Sequence, residues 1–220
     1  MSSSDPTATS LRPYARFRAV GVSALLLALA GIASGVSSNF IAREFPDRPT
    51  PRDLLFETLP HWHVAQYTAD LALLGALVIL VVCTVNRGSR QVAEAICVFA
   101  LMYLLRAFAM ALTPLASAHG NGALFGFVPA VQNGMWPSGH AGAALLCVLL
   151  LVTDSVALRR LTLTLAVLVW LSLVIGHAHY SIDILGGMLL AYFVQREWAN
   201  GSAFRPIRAL LGPVAPAQTR

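Results

Sequence analysis

Residues 64–85 read VAQYTADLALLGALVILVVCTV, twenty-two positions with a single charge, Asp70. An α-helix rises about 1.5 Å per residue, so about 20 such residues cross a hydrocarbon layer about 30 Å thick. Working outward from this stretch, five more apolar segments follow the same rule: 19–41, 91–113, 138–157, 160–178 and 180–198. The whole chain of 220 residues is 57% hydrophobic and only 11% charged. Soluble domains carry roughly 25% charged residues, so too little polar surface is present to keep this chain dissolved. That balance excludes a soluble dinucleotide-binding enzyme, a disulfide scaffold and a disordered chain. The expectation is an all-α protein with six transmembrane helices. Residues 1–18 are expected as a disordered N-terminus, 19–198 as the six-helix catalytic domain and 199–220 as a C-terminal tail. A cleaved signal peptide competes for the first segment, but residues 19–42 carry no charge, and that run exceeds the usual signal core of ~7–15 residues.

All 15 basic residues are arginine, against 10 acidic ones, for a formal net charge of +5. The arginines stand singly at segment ends and form no basic face, which argues against nucleic acid as a partner. With six crossings, eleven of them fall on the face shared by both termini. Only Arg43, Arg48 and Arg52 fall on the other, beside Glu44, Asp47, Asp53 and Glu57. By the positive-inside rule both termini are cytoplasmic, in the plasma (inner) membrane, and the long loops around 43–63 and 116–135 lie outside. Cys83, Cys97 and Cys147 sit inside apolar runs without metal-ligand spacing and read as small core residues.

Titratable residues within the segments are costly in lipid and therefore informative. Glu94 lies near the start of its helix, where an acid suits the dipole, and reads as structural. Asp70 reads as a buried partner for an arginine sooner than as a catalytic group. The others converge on the outer face: Arg106 near the end of the third segment, Pro137-Ser138-Gly139-His140 at the start of the fourth, and His177-Ala178-His179-Tyr180-Ser181-Ile182-Asp183 between the fifth and sixth. Pro137, Ser138 and Gly139 suit a helix start whose free amides bind an anion such as phosphate. His140 can give a proton to a leaving oxygen. Asp183 stands four residues after His179, on the same helical face, and can fix its tautomer so that His179 acts as a nucleophile. Arg106 supplies positive charge for phosphate oxygens. His177 and Tyr180 complete the candidate set, with His177 either contacting phosphate or only capping. A haem- or metal-binding protein using His61, His63, His177 and His179 is a weaker alternative, because His-x-His pairs point to different faces of a helix.

The strings Pro137-Ser138-Gly139-His140 and His179-Tyr180-Ser181-Ile182-Asp183 resemble the second and third motifs of the phosphatidic acid phosphatase type 2 superfamily. The sphingomyelin synthase-like lipid phosphotransferases are the most similar branch. They share Ser-Gly-His, a later His-x-His-Tyr-x-x-Asp (here His177 to Asp183), an arginine-led helix ending in Thr113-Pro114, and a proline-rich loop like Pro46-Asp47-Arg48-Pro49-Thr50-Pro51. The resemblance covers about residues 46–198. It implies a six-helix membrane bundle and a metal-independent, cofactor-free reaction through a phosphohistidine.

Departures from the phosphatase pattern sharpen the substrate. Where that pattern has a lysine, six intervening residues and then arginine-proline, this chain has Arg106, Thr113 and Pro114. Where it has serine-arginine, this chain has Ser172-Leu173. Two of three cations are missing. A phosphate monoester carries nearly two negative charges at neutral pH and a diester one, so a single arginine in an apolar site suits the diester. The expectation is transfer of a phospho-head group from a membrane phospholipid to a lipid alcohol, with water as the other acceptor. The alternative is a phosphatase for phosphatidate or a polyprenyl diphosphate.

Overall fold

The computed structural model describes residues 7–117, 134–153 and 155–211, with side chains from residue 17 onward. Eight helices run in order: α1 (Thr7–Glu44), α2 (Leu54–Thr58), α3 (His63–Arg87), α4 (Ser89–Leu112), α5 (Gly139–Leu150), α6 (Val156–Ile175), α7 (Ser181–Ala199) and α8 (Arg205–Leu210). No strand occurs among the described residues. A helix therefore stands at each of the six apolar segments, and α1 begins well before the expected boundary at residue 19.

Four helices, α1 from Phe17, α3, α4 and α6, are long and apolar enough to cross a bilayer. The chain is a multi-pass membrane protein. Its perimeter agrees: Leu25, Ile32, Val36, Val78, Leu171 and Leu189 are exposed, and a surface so uniformly apolar is stable against lipid rather than water. The other two helices depart from the expectation. α7 has 19 residues but carries Asp183 near its start and Arg196 and Glu197 near its end. The segment expected over 138–157 is helical only to Leu150, 12 residues or about 18 Å. The apolar run itself stops at Val152, before Thr153-Asp154-Ser155, and hydroxyls compete with the helix for backbone groups. Thr153 Oγ1 accepts the Ser155 N–H at 3.2 Å, and Ser155 caps α6 by accepting the Leu158 N–H at 3.3 Å.

Helix α5 is the axis of the bundle. Its alanines, Leu146 and Cys147 pack against α3 and α6 on one side and α4 and α7 on the other. Small residues let neighbouring backbones come close, which is the principal source of helix adhesion in lipid. The closest approach is at Gly187, where an added Cβ would land on the Ser138 carbonyl oxygen.

The two ends of the bundle differ in chemistry. At one, Arg18 donates to the Leu210 and Ala209 carbonyls at 2.6 and 3.0 Å, and Arg90 pairs with Glu94 at 2.8 Å. Arg208 there donates to the carbonyls of Trp198, Ala199 and Gly201. At the other end the loop before α3 is tied down: Trp62 N–H donates to Ile175 O at 3.0 Å, and Ala116 N–H to Pro49 O at 3.1 Å.

Candidate active site

The second end holds the candidate residues. Ser138 caps α5, its hydroxyl accepting the Ala141 N–H at 3.3 Å. Its own N–H donates to the Asp183 carbonyl at 2.9 Å, which joins the starts of α5 and α7. His140 therefore projects from the first turn of α5 toward the α6–α7 connection. Trp170 on α6 steadies that turn, its indole N–H donating to Ala141 O at 3.2 Å.

Asp183 is fully buried in the first turn of α7. Its Oδ2 accepts the Tyr180 N–H at 3.1 Å, while its own N–H donates to Tyr180 O at 2.9 Å. The same Oδ2 lies 3.4 Å from His179 Nδ1. That contact is at the long end of hydrogen-bond distances. The expected His179–Asp183 pairing is present.

Asp70 is 2% exposed, and its partner is not an arginine: His140 Nε2 lies 2.9 Å from Asp70 Oδ1. The two imidazoles, each backed by its own acid, face one another with ring centroids 6.2 Å apart. His140 keeps 30% of its side-chain surface open, whereas His179 is buried.

Arg106 is buried behind this pair. Its Nε donates to Pro137 O at 2.8 Å and its Nη2 to Gly134 O at 2.9 Å. The guanidinium thus braces the turn leading into α5, a role the sequence reading did not anticipate, and a guanidinium has five N–H donors in all. Gly139 lets that turn lie against the arginine: an added Cβ would stand 3.2 Å from Arg106 Nε and from a Tyr103 ring carbon.

The two remaining candidates take other places. His177 is buried at φ 47°, stacked on Phe56 with centroids 4.3 Å apart and 5.0 Å from the His61 ring. It anchors the loop before α3. Tyr180 is buried and its hydroxyl donates to Ala116 O at 3.3 Å, fastening the chain after α4. Among the described residues no group of three or more His, Cys, Asp or Glu could hold a metal ion.

No protein-family model matches this chain, and no curated protein does. Its chemistry is therefore read from geometry. Two buried acids behind two facing imidazoles, beside a guanidinium and a helix N-terminus, can pass a proton from one ring while the other attacks an electrophile. Sequence reasoning missed the Asp70–His140 contact. The signal in the sequence went only halfway: a buried acid needs a partner, but the order of residues does not say which one.

Proposed function

We propose that this protein is an integral membrane lipid phosphotransferase of the sphingomyelin synthase-like kind within the phosphatidic acid phosphatase type 2 superfamily. In this reading α5 and α7 provide two further crossings, making a six-helix bundle with both termini in the cytoplasm. The Arg18, Arg90 and Arg208 end then faces the cytoplasm of the plasma (inner) membrane, by the positive-inside rule. The site lies at the extracytoplasmic face. The observation that carries the reading is the pair of acid-backed imidazoles 6.2 Å apart.

The reaction runs in two halves. A phospholipid arrives laterally, its phosphodiester held by the Arg106 charge and the amides at the start of α5. Asp183 holds His179 through Nδ1, so Nε2 attacks phosphorus. His140, its Nε2 held by Asp70, protonates the departing diacylglycerol oxygen. The head group remains as a phosphohistidine on His179. The neutral His140 next removes the proton of an acceptor hydroxyl, whose oxygen attacks phosphorus and releases His179. A lipid alcohol gives a new phospholipid; water gives hydrolysis.

The test is to incubate purified protein in lipid vesicles with labelled phosphatidylcholine, phosphatidylethanolamine or phosphatidate, with and without a ceramide acceptor. Consumption of a diester donor, and a label trapped on His179, are expected. Release of inorganic phosphate from phosphatidate with the diesters untouched would replace transfer by the phosphatase reading.

A further inference from the structure

We propose that Asp53, on the loop before α3, is a positioning residue for His179: its carboxylate fastens that loop to the first residue of α7 and so keeps Asp183 aimed at the imidazole. The inference rests on the phosphohistidine reading and adds to it a residue from outside the motifs.

Asp53 caps α2, its Oδ1 accepting the Leu55 N–H at 2.9 Å. The same carboxylate reaches 128 positions along the chain. Oδ2 accepts the Ser181 N–H at 2.6 Å, and Oδ1 accepts the Ser181 hydroxyl at 2.9 Å. Ser181 opens α7, so a negative charge also stands where the helix dipole favours it. The consequence lies two residues on. The opening turn of α7 presents adjacent backbone donors, and two carboxylates divide them: Asp53 takes Ser181 N–H and Asp183 takes Tyr180 N–H. With its neighbour's donor already satisfied, Asp183 Oδ2 is committed to Tyr180 and His179 alone among the described residues. Without Asp53, the Ser181 amide is left to turn toward the Asp183 carboxylate, whose Oδ1 has no hydrogen-bond partner among the described residues, and the carboxylate rotates away from the already long His179 contact. On the far side of the same turn, the loop end is held by Trp62 N–H on Ile175 O, and the start of α3 by the Gln66 amide on Gly176 O at 2.8 Å. The turn carrying His179 is thus clamped from both flanks.

The experiment compares full-length wild type with Asp53→Ala, Asp53→Asn and Ser181→Ala in lipid nanodiscs. It reads amide hydrogen exchange over 178–185 and the kinetics of head-group transfer. Asp53→Ala is expected to speed exchange in that segment about tenfold while α4 stays protected. It should also lower kcat about tenfold or more, with KM for the phospholipid within about twofold of wild type. Asp53→Asn, which keeps one acceptor oxygen, should recover part of both. Ser181→Ala keeps the amide contact and should lose less than Asp53→Ala. Unchanged exchange in Asp53→Ala would overturn the fastening, and faster exchange with full kcat would overturn the positioning role. The exchange measurement needs no substrate, so it decides the fastening even if wild-type protein turned over no lipid, a result that would count against the phosphotransfer reading.

Discussion

The two histidine–carboxylate pairs are built in opposite ways. His179 and Asp183 are four residues apart, in one turn, buried, with a 3.4 Å contact. His140 and Asp70 are 70 residues apart, on different helices, partly open, with a 2.9 Å contact. His179 stands just before the N-cap of α7 and not on the helix as expected, so this local pair is set by the tight turn into α7 and survives small shifts of the bundle. A pair made across α3 and α5 exists only while those helices keep their register. The first construction suits a nucleophile whose tautomer must never change. The second suits an acid–base group that must exchange protons with a substrate and touch solvent between turnovers.

That contrast can be broken from either side. The largest effect is expected from His179→Ala, which should abolish both half-reactions and all label on the protein. His140→Ala should still bind donor, but its rate of diacylglycerol release should fall about 10²–10⁴-fold. Arg106→Lys comes next. An ammonium lacks the fork that spans two carbonyls, so both the brace on the Gly134 and Pro137 carbonyls and the phosphate contact weaken. A kcat/KM loss of about 10²-fold is expected, and wild-type kinetics in that variant would remove Arg106 from the site. Asp70→Asn should cost about ten- to a hundredfold in kcat by leaving His140 without a counter-charge. Gly187→Ala acts on the register itself. The new methyl meets the Ser138 carbonyl, and a destabilisation of about 1–3 kcal/mol should appear as a lower Tm in detergent.

The smallest expected effect is a flat one. Burial pushes the Asp53 carboxyl up, but hydrogen bonds from the Ser181 backbone and hydroxyl and from the Leu55 and Phe56 amides outweigh it and hold it below the usual carboxylate range. A depressed acid contributes stability above its unfolded value and loses it only as pH falls through the folded one. Amide protection over 178–185 should therefore be constant, after correction for intrinsic exchange rates, from about pH 5 to pH 8. A drop within that range would mean another group holds the turn.

What the sequence discloses follows the same division. Spacing of four residues is a local property, so the His179–Asp183 pair is legible from the order of residues alone. Depth in an apolar segment is nearly local, so Arg106 could be brought to the level of Ser138 and Gly139. Asp70 could not be paired, because no periodicity states which face of α3 meets which face of α5; that depends on how closely glycine and alanine let the helices approach. The end of α5 at Leu150 was hidden for a different reason. Hydropathy averages over a window, whereas the break depends on single hydroxyls at Thr153 and Ser155 capturing individual amides. Asp53 was invisible because it lies in a loop where charge reads as solubility.

The crowding around α5 has a mechanical outcome. A rod walled by four others, with Gly139, Ala141, Gly142, Ala143 and Ala144 buried along it, has no slack in which to tilt or rotate. The imidazole at its tip is held in place by this packing. Saturation mutagenesis at these five positions should accordingly accept almost nothing larger than serine, whereas the lipid-facing positions of α1 should accept nearly any aliphatic residue.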